Sequence, residues 1–167
     1  MGFFVDMRIL IVGIRSDLGG KFTFPEPTHG ANRENEYVTI REAIGDLPEW
    51  PEGEYWTEPF HWYYLSRNRR RDWEEVSKTI VSHPRHMPLH PVSPKLTRIH
   101  TDKWVWSEDK PARRFSYREA ARLQGFPKDM VFPDTVNSSL RERYRVVGNA
   151  VPPQLFNAIT QKLLGLI

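Results

Sequence analysis

The amino-acid sequence predicts a mixed α/β protein with one early strand, an irregular and β-rich middle and a helical end. Three observations carry this prediction. An apolar segment rich in β-branched residues lies near the start, two helix-capping sequences occur further on, and prolines precede an amphipathic segment at the end. With 167 residues, of which 39% are hydrophobic and 27% charged, the chain can form one folded domain or a small domain with an appendage.

The early strand is predicted from the segment Arg8 to Ile14, which is continuously apolar after the arginine. This pattern is typical of a strand that is buried on both faces of a parallel sheet. A short alternating segment, residues 22–24, follows a polar turn, and the prolines and glycine between residues 25 and 36 then interrupt regular structure. We therefore expect a buried strand and, after it, a surface connection.

Two capping boxes predict the first helices. In each, a threonine or serine hydroxyl can accept a hydrogen bond from the third helical N–H, while a glutamate reaches back to the capping residue. The box at residues 39–42 predicts a short helix that ends at Gly45 or Leu47, before a proline. The box at residues 116–119 predicts a helix over residues 118–123, which a glycine then ends.

Between the two boxes, the sequence predicts short strands and long loops. The strand-like segments are His61 to Leu65, Ser77 to Ser82 and Trp104 to Trp106, because they are aromatic or alternate in polarity. Residues 84–94 hold too many prolines for a helix or a strand. The middle of the chain is therefore expected to be irregular, and the two tryptophans on one face of the last strand are expected to lie in its core.

A terminal helix of about 14 residues is predicted after Pro152, because proline suits the first turn of a helix. Apolar side chains recur every four residues along this segment, at Val151, Leu155, Ile159 and Leu163. Such a stripe has to be covered by other apolar surface. The chain's own small domain, a second copy of the chain and another polypeptide are the three alternatives.

The formal net charge of +3 conceals a strongly basic centre. Residues 61–118 hold 13 Lys/Arg against 6 Asp/Glu, whereas residues 1–60 hold 5 against 11. Four arginines occur within the five positions 67–71. Such a run repels itself in isolation, but beside DNA it neutralises several phosphates. The alternative is a solvated face with scattered counterions.

Several kinds of chemistry are excluded by composition. The sequence contains no cysteine, which excludes disulfides, cysteine-ligated zinc and a cysteine nucleophile within these 167 residues. No apolar run approaches the roughly 20 residues that span a bilayer, and the start does not resemble a secretory signal. Prolines separate His83, His86 and His90, so no metal site is predicted there.

Three segments resemble conserved motifs of the DNA (cytosine-5) methyltransferases. Residues 113–127 resemble the ninth motif of that family, and residues 144–153 resemble the tenth. Residues 8–15, with residues 24–29 after them, resemble the end of the eighth motif and the segment that follows it. The motifs occur in the order of the family, and the segment between them corresponds to the family's variable target-recognition region.

The resemblance implies a partial cytosine-5 methyltransferase fold. Residues 1–24 are expected to be a strand segment of the catalytic domain. Residues 25–140 are expected to form a small, irregular, β-rich target-recognition domain that includes the ninth motif, and residues 141–167 to form the tenth motif with a C-terminal helix that belongs to the catalytic domain. The family's Pro-Cys nucleophile and glycine-rich cofactor turn precede the eighth motif, and this sequence contains neither.

The resemblance also implies roles for single residues. Arg8 corresponds to an arginine that helps to hold the flipped cytosine, and it is the expected catalytic residue. Asn149 and Ala150 lie in the tenth motif, which the family places beside S-adenosylmethionine, and they are the expected cofactor-binding residues. Backbone N–H groups at the start of a helix would suit the carboxylate of that cofactor. Val146 departs from the family, in which many members have glutamine at this position.

Ten residues in the middle of the chain are expected to bind duplex DNA. Arginine in the major groove most often contacts guanine, and basic side chains in general neutralise phosphates. Thr79 resembles a threonine that the family places near the flipped base. The predicted DNA-binding residues are Arg67, Arg69, Arg70, Arg71, Lys78, Thr79, Arg85, His86, Lys95 and Arg98.

Cytosine-5 methylation needs a thiolate that attacks carbon 6 of the base, so the chain is expected to be inactive alone. We expect the DNA-recognition half of a methyltransferase from a bacterial restriction–modification system. A second polypeptide with the Pro-Cys and glycine-rich motifs, or self-association, is expected to cover its apolar surfaces. The alternative is a stand-alone, sequence-specific DNA-binding remnant without catalysis. The expected location is the cytoplasm, at the nucleoid and away from any membrane.

Overall fold

The computed structural model describes residues 4–5, 10–134 and 139–165. These residues form short strands and helices joined by long loops, which agrees with the predicted mixed α/β class. Two 3-10 turns occur at Ser16–Leu18 and Pro84–His86, and no helix of the described residues is long and apolar enough to cross a membrane. The strands are β1 (Phe4–Val5), β2 (Ser77–Lys78), β3 (Leu96–His100) and β4 (Lys103–Trp106), and the helices are α1 (Ile40–Ile44), α2 (Trp62–Leu65), α3 (Tyr117–Leu123), α4 (Leu140–Asn149) and α5 (Pro153–Leu164).

The strands of the described residues form two separate two-stranded sheets. β1 pairs with β2 in parallel. β3 and β4 form an antiparallel hairpin, whose register is interrupted by a bulge between Arg98 and His100. The strand predicted over Trp104–Trp106 is confirmed, whereas only Ser77 and Lys78 of the predicted strand over residues 77–82 are paired.

The strand predicted over residues 8–14 is wrong for residues 10–14. These residues form no strand, and Leu10 and Ile11 are exposed, Ile11 to 91%. A parallel strand needs neighbouring strands, and none of the described residues pairs with this segment. Arg8 and Ile9, the first two residues of the predicted strand, lie outside the described residues.

The helices α1 and α3 begin within one residue of where the capping boxes predict them. In both boxes the hydroxyl oxygen accepts from the N–H of the glutamate, and the glutamate accepts from the N–H of the capping residue. The second bond is 2.7 Å long both between Thr39 and Glu42 and between Ser116 and Glu119. α5 begins at Pro153, as the prolines predict.

Two helices differ from the prediction. Residues 61–65 are predicted as a strand, but Trp62–Leu65 form α2 instead, because the His61 imidazole accepts from the N–H of Tyr63 and caps one helical turn. α4 is not predicted at all, although the Ser139 hydroxyl accepts from the N–H of Glu142 at 3.3 Å. The tenth-motif residues up to Asn149 therefore belong to a helix and not to a turn before α5.

The main hydrophobic core lies where α1, α3 and α4 meet, and two hydrogen bonds fix α4 on α3. The Tyr144 hydroxyl donates to the Phe115 carbonyl at 2.6 Å, and Gln124 Nε2 donates to the Val147 carbonyl at 3.1 Å. The segment after β2 also enters this core. The buried members are Ile40, Ala43, Ile44, Ile80, Met87, Phe115, Tyr117, Ala120, Ala121, Leu123, Tyr144 and Val147.

A second, smaller core anchors the β3–β4 hairpin. Tyr64, Leu89 and Leu96 are buried there, and Trp104 and Trp106 pack against them. The two tryptophans therefore lie in a core, as the sequence predicts. The remaining side chains of β3 are exposed, so the hairpin is held to the protein along one face.

A buried ion pair joins three parts of the chain. The Arg113 guanidinium donates to both carboxylate oxygens of Glu119, at 2.8 and 2.7 Å, and the two side chains are 0% and 1% exposed. Arg113 Nε also donates to the Glu49 carbonyl at 2.7 Å, and the Arg113 backbone N–H donates to the Ser93 hydroxyl at 3.0 Å. Arg113 therefore ties two loops to the start of α3.

Candidate nucleic-acid interface

Three of the predicted DNA-binding cations crowd together beside β2. The Lys78 ammonium is half-buried, and its pKa is lowered by this burial and then by repulsion from the Arg71 and Arg69 guanidinium groups. Glu75 partly offsets this charge and contacts Arg71 at 3.2 Å. We call Arg69, Arg71 and Lys78 the cationic cluster. A surface where cations outnumber carboxylates attracts phosphate.

A groove of about 450 Å³ opens next to the cationic cluster. Arg69 links the two, because its Nη1 donates to the His86 carbonyl at 2.7 Å and its guanidinium lies 4.9 Å from the centre of the Tyr64 ring. Such a lining suits nucleic acid, since aromatic rings stack on bases and guanidinium groups bind phosphates or base edges. The lining residues are Glu58, Pro59, His61, Tyr63, Tyr64, Arg85, His86 and Arg114.

The charge within the groove is partly balanced. Arg85 Nε contacts Glu58 Oε2 at 2.5 Å, and this hydrogen bond raises the pKa of Arg85 and lowers the pKa of Glu58. Partial desolvation, followed by repulsion from Arg69, lowers the pKa of His86 from 6.5. The His86 imidazole is therefore neutral at pH 7, so the positive charge of the groove comes from its arginines.

Arg114 supports the groove, and it is a residue that the sequence did not single out. Its buried guanidinium lies 4.2 Å from the centre of the Phe60 ring and 5.0 Å from that of Tyr64. It donates to the Glu58 carbonyl at 2.9 Å and to the Arg85 carbonyl at 3.2 Å. Arg114 therefore holds both loops that carry the exposed charges of the groove. No local pattern predicts these contacts, because the partners are distant in sequence.

Arg70, the third arginine of the basic run, is turned into the protein. Its Nε donates to the Ser93 carbonyl and its Nη2 to the Pro91 carbonyl, both at 2.8 Å. Its Nη1 donates to Asp72 at 2.6 Å, and this bond is the main reason why the pKa of Asp72 is lowered. The guanidinium is thus satisfied within the loop, and DNA contact by Arg70 stays a prediction.

The remaining predicted DNA-binding residues are more dispersed. Arg67 is exposed, and Thr79 is half-buried next to the cationic cluster. Lys95 contacts Asp72 at 3.3 Å. Arg98 is exposed on β3, opposite Trp104 of β4. The predicted set is therefore divided between a central group around β2 and the groove, and a second group on the hairpin.

Of the predicted catalytic and cofactor-binding residues, the structure describes only the cofactor-binding ones. Arg8 lies outside the described residues. Asn149 is exposed and ends α4, and Ala150 follows it as the C-cap of that helix. The Ala150 N–H donates to the Val147 carbonyl at 3.2 Å. Contact of Asn149 and Ala150 with S-adenosylmethionine stays a prediction.

The three histidines considered as metal ligands do not converge. The His83 and His86 rings lie 5.2 Å apart at the groove, whereas His90 is buried with its Nε2 3.5 Å from Glu119. No group of three side chains that could hold a metal ion occurs in the part of the chain that the structure describes. These histidines therefore belong to two different environments.

A basic, aromatic-lined surface on loops around a small core is typical of proteins that bind nucleic acid. Comparison with known proteins identifies the class. Residues 7–165 match the family of C-5 cytosine-specific DNA methylases, and the chain belongs to this family. The resemblance inferred from three sequence motifs is therefore confirmed. S-adenosylmethionine is the cofactor of these enzymes, as the sequence predicts.

Curated relatives of the chain are Type II methyltransferases, a name that fits the predicted restriction–modification class. The chain is 41% identical over 174 residues to M.MthTI of Methanothermobacter thermautotrophicus, covering 93% of this chain and 50% of the relative. It is 37% identical to M.BsuRI of Bacillus subtilis, covering 93% of this chain and 37% of the relative. It is also 37% identical to M.BspRI of Lysinibacillus sphaericus, covering 93% and 38%. The chain therefore spans half the length of these relatives or less.

Proposed function

We propose that this chain is the DNA-recognition half of a cytosine-5 methyltransferase that transfers a methyl group from S-adenosylmethionine to cytosine in duplex DNA. The observation that carries the proposal is the cationic cluster, where burial and then repulsion from Arg71 and Arg69 lower the pKa of Lys78. Crowded cations repel one another, and DNA phosphates relieve this repulsion on binding. The adjoining groove adds rings and guanidinium groups that suit bases.

The groups that this chain lacks for cytosine-5 methylation indicate what a partner would have to supply. The 167 residues contain no cysteine, so the thiolate that attacks carbon 6 of cytosine lies outside them, and we propose that a second polypeptide with the Pro-Cys and glycine-rich motifs supplies it. S-adenosylmethionine supplies the methyl group when it is bound, and the exposed Asn149 amide would contact one polar edge of it. We propose no other contribution of this chain to the cofactor site.

Several exposed apolar side chains support the proposal that a catalytic polypeptide packs against this chain. Ile159 is buried on the inner face of α5, but Phe156 and Leu164 on the same helix are exposed to 61% and 59%. Ile11 and Val151 are also exposed. Burying such side chains is worth roughly 1.5–3 kcal/mol each, so their burial would favour association with a catalytic partner.

A methyl-transfer assay tests this proposal. The purified chain is expected to transfer no methyl group from S-adenosylmethionine to duplex DNA, because it has no thiolate. Mixing it with a cognate polypeptide that carries the Pro-Cys and glycine-rich motifs is expected to produce transfer. The matched control is the same polypeptide with its cysteine changed to serine. Transfer by the chain alone, or no transfer from the complete mixture, would contradict the proposal.

A stand-alone DNA-binding protein is the second candidate function. It is favoured by the main core, in which α1, α3 and α4 enclose Ile40, Leu123 and Val147 without another polypeptide. A chain of this kind would be a stable monomer that binds duplex DNA and gains nothing from a catalytic partner. Size-exclusion chromatography with and without that partner separates the two candidates.

Changing Lys78 to glutamine is expected to weaken binding to all duplexes by a similar factor and to reduce the salt slope of the affinity by about 1. The substitution removes one cation from the cluster but leaves the backbone pairing of β2 with β1. Fluorescence anisotropy at several salt concentrations measures both effects. Lys110→Gln is the matched control, because the Lys110 ammonium is paired with Glu108 outside the cluster. An unchanged slope in the Lys78 variant would show that this ammonium contacts no phosphate.

A further inference from the structure

Gly148 is the point where the backbone of α4 touches the backbone of another segment. A Cβ atom at this position would lie 2.3 Å from Ser82 N and from the Val81 carbonyl carbon, and 2.4 Å from Ser82 Cα. Contacts below 3.0 Å essentially never occur for a real Cβ atom. All three atoms belong to the backbone, so no side-chain rotation can make room. A hydrogen is therefore the largest group that this position accepts.

Glycine is required at position 148 because there is no space for a side chain, and not because the backbone conformation demands it. Gly148 lies inside α4 and has an ordinary helical φ. Gly125 provides a contrast, because it has a φ of +86° and the nearest atoms to its added Cβ belong to the flexible side chain of Gln154. Gly45 also has a backbone atom close to its added Cβ, but that atom belongs to the helix that Gly45 itself caps.

Neither side of this contact can move easily. α4 is fixed by the hydrogen bonds from Tyr144 to Phe115 and from Gln124 to Val147. The segment that holds Val81 and Ser82 is fixed as well, because Ile80 before it and Pro84 after it are buried. An added methyl group therefore displaces the segment as a whole, by about 1 Å if the contact of 2.3 Å is to reach the 3.4 Å of ordinary packing.

The same segment carries residues of the candidate DNA interface at both ends. Lys78 and Thr79 lie at its start, and Arg85 and His86 lie at its end. We call residues 78–86 the recognition loop. On the other side of the contact, Gly148 is followed directly by the exposed Asn149. The contact thus joins the recognition loop to the segment of α4 that is proposed to face the cofactor.

We propose that Gly148 is a positioning residue for DNA recognition. Because it has no side chain, it allows the backbone of the recognition loop to pack directly against α4, and it thereby fixes the distance between the two. It touches neither DNA nor cofactor itself. It determines where Lys78 and Arg85 stand, and it makes the loop and the end of α4 move together. The inference rests on the proposed function, since it assumes that the recognition loop contacts DNA.

Changing Gly148 to alanine is expected to weaken binding to a duplex of randomised central sequence by roughly 10- to 100-fold, because misplacing a functional group by about 1 Å can cost up to about 100-fold. The salt slope of the affinity is expected to fall as well, because displaced cations contact fewer phosphates. Binding is measured at a temperature where circular dichroism shows the variant to be folded. Gly165→Ala is the matched control, since its added methyl group meets nothing closer than 3.7 Å.

A purely structural role would lower the melting temperature without changing the affinity or salt slope of the folded molecules. A folded Gly148→Ala variant that binds DNA as the unchanged chain does would therefore overturn the inference. If the unchanged chain binds no duplex, the proposed function fails first, and this outcome is distinct from a normal affinity in the variant.

Hydrogen exchange of the unchanged chain keeps the inference testable if the variant does not fold. Adding the same duplex is expected to slow amide exchange both in the recognition loop and in the last turn of α4, residues 146–149. The first turn of α4, residues 140–143, serves as the internal reference and is expected to exchange as before. Protection of the loop without any change at residues 146–149 would show that the two do not move together.

Discussion

Changing Arg113 to methionine is expected to lower the free energy of unfolding by about 3–5 kcal/mol, the usual cost of breaking a buried ion pair by removing one partner. The Glu119 carboxylate, 1% exposed, then loses both of its bonds to the guanidinium. The Glu49 carbonyl loses its bond as well. Methionine keeps an unbranched apolar chain, so the loss reports the charge and hydrogen bonds rather than a large cavity. Urea denaturation measures the effect.

Two further variants test whether the loss comes from breaking the buried ion pair. Arg145→Met removes an exposed arginine that pairs with Glu142 at 2.7 Å, and it is expected to cost less than about 0.5 kcal/mol. Adding Glu119→Gln to the Arg113 variant is expected to recover part of the loss, because a neutral amide is less costly to bury than an unpaired carboxylate. A loss below about 1 kcal/mol in Arg113→Met would show that the pair is worth no more than a surface salt bridge.

The protein is expected to lose stability as the pH falls below 6.5, and His90 is the main cause. Burial, followed by repulsion from Arg113 and Arg70, lowers the pKa of His90 from 6.5 to about 2. Glu119 lies 3.5 Å from the imidazole, but its charge is already matched by Arg113. The Trp73 and Phe115 rings enclose the imidazole on its other sides.

The sign of this effect follows from proton binding. Below pH 6.5 the unfolded chain binds a proton at His90, whereas the folded chain does not bind it until pH about 2. Acid therefore favours the unfolded state, and the expected loss between pH 8 and pH 4.5 is about 2.7 kcal/mol. Urea denaturation across this range measures it. The lowered pKa of His86 acts in the same direction, while the lowered pKa values of Asp72 and Glu58 matter only below about pH 4.5.

His90→Asn is expected to flatten most of this pH dependence. The Val92 N–H donates to Nδ1 of His90 at 3.1 Å, and the asparagine oxygen can accept the same bond without a group that titrates. His100→Asn is the matched control, because His100 is exposed and its replacement should leave the slope as it is. An unchanged acid slope in the His90 variant would assign the effect to other groups.

Local signals predicted the helices well. The boxes at Thr39 and Ser116 placed α1 and α3 correctly, because every atom of a capping box lies within four residues. The same Ser-x-x-Glu signal stands at Ser139 and Glu142 before the missed α4. α4 was therefore predictable from its own cap. The strand expected over residues 8–14 was not, because a strand depends on partners that no local pattern contains.

The candidate site was predictable in composition but not in arrangement. The basic run at residues 67–71 was recognised, but nothing local distinguished Arg70, whose bonds go to the Ser93 and Pro91 carbonyls more than twenty residues away. Arg114 was missed for the same reason, since its aromatic and carbonyl partners come from two distant loops. Charge can be counted from a sequence, whereas the direction of each guanidinium is decided by tertiary contacts.

In the β3–β4 hairpin, different residues attach the hairpin to the protein and face the solvent. Trp104 and Trp106 fasten one face to the second core, and Thr97, Arg98 and Ile99 on the partner strand stand in solvent. Substitutions at these three exposed positions therefore leave the attachment through Leu96, Trp104 and Trp106 intact. These exposed residues can change one at a time during evolution while the protein stays folded. The hairpin is therefore a part of the molecule in which new preferences for DNA sequence can evolve at little cost to stability.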